Sequence, residues 1–145
     1  MGTLVSSNKI VFNYINRRPK INRPQVVSWL TTVSLKEKKR INFININFCD
    51  DEYLLSINKN FLEHDYYTDI ITFDLSDKNG HIEADIYISL DRVKENAKQL
   101  KSSPEQELNR VMLHGLLHLC GYNDKTKKEI AQMRYKEELY LHMLP

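Results

Sequence analysis

The chain has 145 residues, 41% of them hydrophobic and 28% charged, with a formal net charge of +2, which is enough for one domain around a single sizeable core. No stretch approaches the roughly 18 to 20 apolar residues of a helical membrane span. The only two cysteines, Cys49 and Cys120, cannot build a disulfide scaffold and are expected as buried free thiols. The first 18 residues lack the apolar stretch and cleavage site of a signal peptide, so an intracellular protein is expected. Residues 1 to 40 carry nine Lys or Arg against one acid, leaving the remainder at −6. A basic front third suits a polyanion partner such as nucleic acid.

In chain order, KIVFNYI (9 to 15) supplies a first strand, and RPQVVSWLTTVSL (23 to 35) a helix with Val26, Val27, Leu30 and Val33 on one face. INFININF (41 to 48) alternates apolar residues with asparagines at nearly the two-residue period of a half-buried strand. Asp50 or Asp51 can cap a short helix running to about Asn60, with Leu54, Leu55 and Ile57 inward. IITFDL (70 to 75) and EADIYISL (83 to 90), separated by the turn-rich SDKNG, read as neighbouring paired strands. Thereafter the chain is helical: from about Asp91 to Leu100, from Ser103-Pro104 to Cys120, and from about Lys125 to Met143. The fold class expected is α+β, with about four strands in a mixed sheet packed by helices and a single domain over residues 1 to 145.

Within the second of these helices and just beyond it stands HGLLHLCGYND, residues 114 to 124. Residues four apart share a helix face, so the imidazoles of His114 and His118 can converge on one ion. Gly115 costs about 1 kcal/mol relative to alanine inside a helix, which suggests close approach by another group. Gly121 suits the left-handed residue that ends a helix and lets the chain turn, bringing Asp124 back to the two histidines. Two nitrogens and a carboxylate with an open fourth position suit zinc, with nickel, iron or manganese as alternatives. The open position would hold water, made acidic enough by the metal to support hydrolysis. The zinc protease helix carries a glutamate base after its first histidine; here that position is Gly115, which opposes a metallopeptidase. Cys120 faces away from His118, and His64, His81 and His142 have no spacing that groups them with the site.

This segment resembles the hallmark of the YbeY-type endoribonuclease family, His-Gly-x-Leu-His-Leu-x-Gly-Tyr-Asp-His, with Asp124 in place of the usual third histidine and Asn123 in place of the aspartate before it. INKNFLEHDYYTDIITF, 57 to 73, resembles a second family motif through Asn58, Asp65, Thr68, Asp69 and Phe73, with Leu62 where the family commonly has arginine. Ala84-Asp85-Ile86 resembles the family's Gly-Asp-Ile strand. The resemblance implies a metal site at His114, His118 and Asp124, a cytoplasmic location, and a metal-dependent, single-strand-selective endoribonuclease that acts on ribosomal RNA. The family's roles, maturation of the 16S 3′ end and ribosome quality control, imply the small ribosomal subunit as partner. Lys59, one turn before Leu62, is the candidate to replace the missing arginine at phosphate. The alternatives are a zinc metallopeptidase-like hydrolase and a non-catalytic ribosome-assembly factor.

Overall fold

The structure, a computed structural model, describes residues 9–145 apart from 78. Residues 1–8, part of the stretch inspected for a signal peptide, and position 78 in the SDKNG turn lie outside the described residues. The elements are β1 (Ile10–Tyr14), α1 (Arg23–Lys36), β2 (Arg40–Cys49), α2 (Asp51–Leu62), β3 (Ile70–Asp74), β4 (His81–Ser89), α3 (Leu90–Leu100), α4 (Pro104–Leu119) and α5 (Lys127–Leu141). Four strands form one mixed sheet in the order β1-β2-β4-β3. The β1-β2 and β2-β4 pairs are parallel, and β3 runs antiparallel to β4 at the edge. The fold is therefore α+β. Among the described residues, no helix is long and apolar enough to cross a membrane.

The strands explain which sheet face is covered. In β4, burial alternates residue by residue, with Ile82, Ala84, Ile86 and Ile88 inward. In β2 the apolar positions change phase: Ile41 faces in, but so do Ile44, Ile46 and Phe48. A register shift between Ile41 and Phe43 absorbs the odd residue, a bulge that leaves Phe43 outside the core. The asparagines that alternate with these residues bridge strands: Asn45 Nδ2 donates to Asp85 Oδ1 at 2.9 Å and Asn13 Nδ2 to Asn47 Oδ1 at 3.0 Å. A polar group on a half-buried sheet face is thereby satisfied.

On the inner face, α1 contributes Val26, Leu30 and Val33, and α4 contributes Leu113, Leu116 and Leu117. Trp29 joins them and donates its indole N–H to the Tyr140 carbonyl at 2.9 Å, whereas Val27 is only partly buried. The opposite face is covered by α2 through Leu54 and Ile57, packed with Cys49 and Ile71. Leu55, expected inward, is partly buried, and the polar Asn58 is buried instead. Cys49 is buried as expected, with burial pushing its thiol up to about 12. Cys120 is a partly buried helix cap rather than a core residue.

α4 is the helix that matters most for the site. Ser103 caps it by accepting from Gln106 N–H, while the Gln106 side chain accepts from Ser103 N–H, and Pro104 opens it. Its middle is buried on several sides, and Gly115 makes that possible. A Cβ there would stand 2.8 Å from Ile70 Cδ1 and 3.5 Å from both Ile86 Cδ1 and Thr72 Oγ1. The close approach expected at Gly115 is thus to side chains of β3 and β4. The helix lies tight against the sheet, and the two histidines emerge beside the β3 edge.

Candidate metal centre

His114 and His118 lie one turn apart near the C-terminal end of α4. The chain then turns through Gly121 at φ +109°, open to glycine and strained for other residues. Gly121 N–H bonds the His118 carbonyl and Tyr122 N–H the Leu117 carbonyl, closing the helix as a capping glycine does. Asp124 returns as the sequence predicts. Its Oδ2 is 3.2 Å from His114 Nε2 and 3.4 Å from His118 Nε2, and the two Nε2 atoms are 3.0 Å apart.

The far side of each imidazole fixes what these atoms can do. His114 Nδ1 lies 2.6 Å from Glu137 Oε2. His118 Nδ1 lies 2.8 Å from the carbonyl oxygen of Tyr122. Burial opposes ionisation of Glu137, but His114 and Arg110 outweigh it and hold the carboxyl below its ordinary value. An ionised carboxylate and a carbonyl can only accept, so both rings carry hydrogen at Nδ1, which leaves each Nε2, the atom facing Asp124, as the one that can bind an ion. The three atoms stand within 3.4 Å of one another, a spacing that positive charge among them, from a proton or a metal ion, would stabilise. Around a tetrahedral ion with bonds of 2.0 to 2.1 Å, neighbouring donors stand about 3.3 Å apart. The observed spacings match that edge, so the donor set can hold a metal ion.

Glu137 was not legible as a site residue. On α5 it shares the buried stripe of Met133 and Tyr140, and an acid in such a stripe is the signal that sequence carried. It is not left as a lone buried charge. Arg110 NH1 reaches Glu137 Oε1 at 3.4 Å, and the same guanidinium grips Glu107 through two bonds of 2.6 and 2.9 Å. A buried carboxylate so paired can aim His114 without the full penalty of desolvation.

A second carboxylate supports the turn. Glu37, at the end of α1, accepts from the Tyr122 hydroxyl at 2.7 Å, from Lys136 Nζ at 3.1 Å and from the Tyr140 hydroxyl. Burial works against its charge, but these donors prevail and the carboxyl lies below its ordinary value. Tyr122 is thereby pinned at its ring end while its carbonyl holds His118.

The three groups open onto a cleft of about 480 Å³ walled by β3 and the segment after α2, including Leu62, His64, Tyr66 and Asp69. Asp69 is pushed above its ordinary value, chiefly by burial. Lys59 lies on α2 as required, but it is exposed, pairs with Asp65 at 3.9 Å and is not among the cleft-lining residues. Leu62, in the position of the family arginine, does line the cleft. Of the histidines left ungrouped, His81 bonds Asn42 and His142 its own helix at Glu138, whereas His64 is a wall of the cleft.

The family model for endoribonuclease YbeY matches residues 13–145. Among curated proteins, endoribonuclease YbeY of Cytophaga hutchinsonii is 55% identical over 83% of this chain and 85% of its own length. That of Porphyromonas gingivalis is 50% identical over 87% and 83%, and that of Flavobacterium johnsoniae is 46% identical over 89% and 92%. The solution structure of TM1509 from Thermotoga maritima superimposes with a TM-score of 0.62 at 26% identity, covering 93% of this chain and 88% of that one. With a matched sequence that spans nearly all of the fold and includes the convergent His114, His118 and Asp124, the chain belongs to the endoribonuclease YbeY family.

Proposed function

We propose that the protein is a zinc-dependent endoribonuclease that cuts single-stranded RNA during ribosomal RNA maturation, in the cytoplasm and on the small ribosomal subunit. The observation that carries this reading is the convergence of His114, His118 and Asp124 at tetrahedral spacing in an open cleft, in a chain of this family. Zinc suits two imidazole nitrogens and one carboxylate, and nickel, iron or manganese are the alternatives a metal analysis distinguishes. When bound, zinc supplies Lewis-acid stabilisation and a water of lowered pKa. The chain's own part is orientation. Glu137 and the Tyr122 carbonyl fix both ring tautomers, Asp124 contributes negative charge, and the cleft wall receives the strand.

The metallopeptidase alternative loses ground at residue 115. That position carries no carboxylate, and any side chain there would have to push aside the Ile70 Cδ1 methyl. Incubation of zinc-loaded protein with a single-stranded fragment of small-subunit rRNA should give cleavage that a chelator stops. An intact fragment after prolonged incubation with metal-loaded protein would overturn the nuclease reading, and rRNA binding without cutting would leave an assembly factor as the better account.

A further inference from the structure

We propose that Tyr66, backed by His64, forms a stacking subsite for an unpaired RNA base in the metal cleft, an inference that rests on the nuclease reading above. The two rings are already stacked on each other, with centroids 5.1 Å apart and planes 19° from parallel. The Tyr66 hydroxyl and His64 Nδ1 are hydrogen-bonded at 3.0 Å. Both residues line the cleft that holds His114, His118 and Asp124. Tyr66 nevertheless remains 56% exposed, so a large part of its surface is free for a further flat ligand.

The segment is built to hold that ring in place. The buried Asn58 donates its amide to the Tyr66 carbonyl at 2.9 Å, and the His64 N–H closes on the Asn58 carbonyl at 3.0 Å. Next to it, the Tyr67 hydroxyl is tied to Glu52 at 2.6 Å. An exposed aromatic on a well-anchored backbone loses little freedom when a base settles on it. Leu62 adds an apolar contact on the same wall, and none of the cleft-lining residues is Lys or Arg. A wall of this chemistry engages the base rather than the phosphate. Bases in a duplex have both faces covered by neighbours, whereas an unpaired base can be splayed onto an aromatic ring. The subsite therefore gives a physical origin for single-strand selectivity.

The test uses zinc-loaded full-length protein and a short single-stranded RNA carrying 2-aminopurine, whose emission is quenched by stacking. Emission is read on mixing, before turnover, and KM is measured beside it. Wild type should quench the probe, Tyr66→Phe should match it, and Tyr66→Ala should lose the quench and raise KM about tenfold, equivalent to about 1.4 kcal/mol. His64→Ala should fall between them, and metal content should be the same in all four proteins. Cleavage by Tyr66→Ala with wild-type quench and KM would overturn the subsite and leave the nuclease standing. A wild type that neither binds nor cuts the RNA would overturn both.

Discussion

His114 and His118 take their tautomers from acceptors set behind them, and this makes the geometry testable one residue at a time. Glu137→Gln keeps a hydrogen-bond acceptor near His114 but removes its charge; metal affinity should fall about 10-fold to 100-fold in a chelator competition, as is typical when such a supporting carboxylate is lost. Unchanged affinity would mean that Glu137 serves only to neutralise Arg110. Gly121→Ala should cost about 1 to 3 kcal/mol in a urea melt, because the positive φ strains any residue with a Cβ although nothing crowds the space. The position of Asp124 beside the two histidines was legible in sequence because a glycine at the helix end implies a sharp return. Glu137 was not, since it lies 23 residues from its histidine and only the packing of α5 on α4 brings them together. His64 escaped for a similar reason: its place in the cleft depends on how the segment after α2 folds back.

At the scale of elements, most strands and helices could be read from periodicity and caps, and the shortfalls have local causes. The β2 sequence departs from strict alternation at Phe43-Ile44, and the bulge between Ile41 and Phe43 absorbs the departure. Asn58 is buried where Leu55 was expected because its amide is needed to hold Tyr66. The pairing of β3 with β4 was legible from the turn that divides them, but the rest of the sheet order was not: nothing local brings β2 beside β4 across α2 and β3. The tie between α1, α5 and the metal turn through Glu37 joins residues up to 103 positions apart. It predicts a pH dependence. Because the folded carboxyl lies below its ordinary 4.5, its contribution is full above that value and is lost as pH falls through the lower, folded one. Glu37→Gln should therefore melt below wild type at neutral pH, with the gap closing on acidification below 4.5. A gap that widened in acid would contradict the network.

Over the whole molecule, charge is arranged in an unexpected way for a nuclease. The basic front third does not line the metal cleft: Arg17, Arg18 and Lys20 border grooves at the Pro104 end of α4, ten residues and so about 15 Å along the helix from His114. The cleft itself contains Asp69, Asp74 and Asp124 and neither Lys nor Arg. Without a cation, such a cleft repels phosphate. Under the proposed function, RNA recognition at this site would depend on the metal more strongly than it would with an arginine in place of Leu62. The most direct test is elemental analysis of untagged wild-type protein beside His118→Ala. The account predicts near one equivalent of zinc per chain in the wild type and a loss of it in the variant; a metal-free wild type, or a variant that keeps its full equivalent, would contradict it.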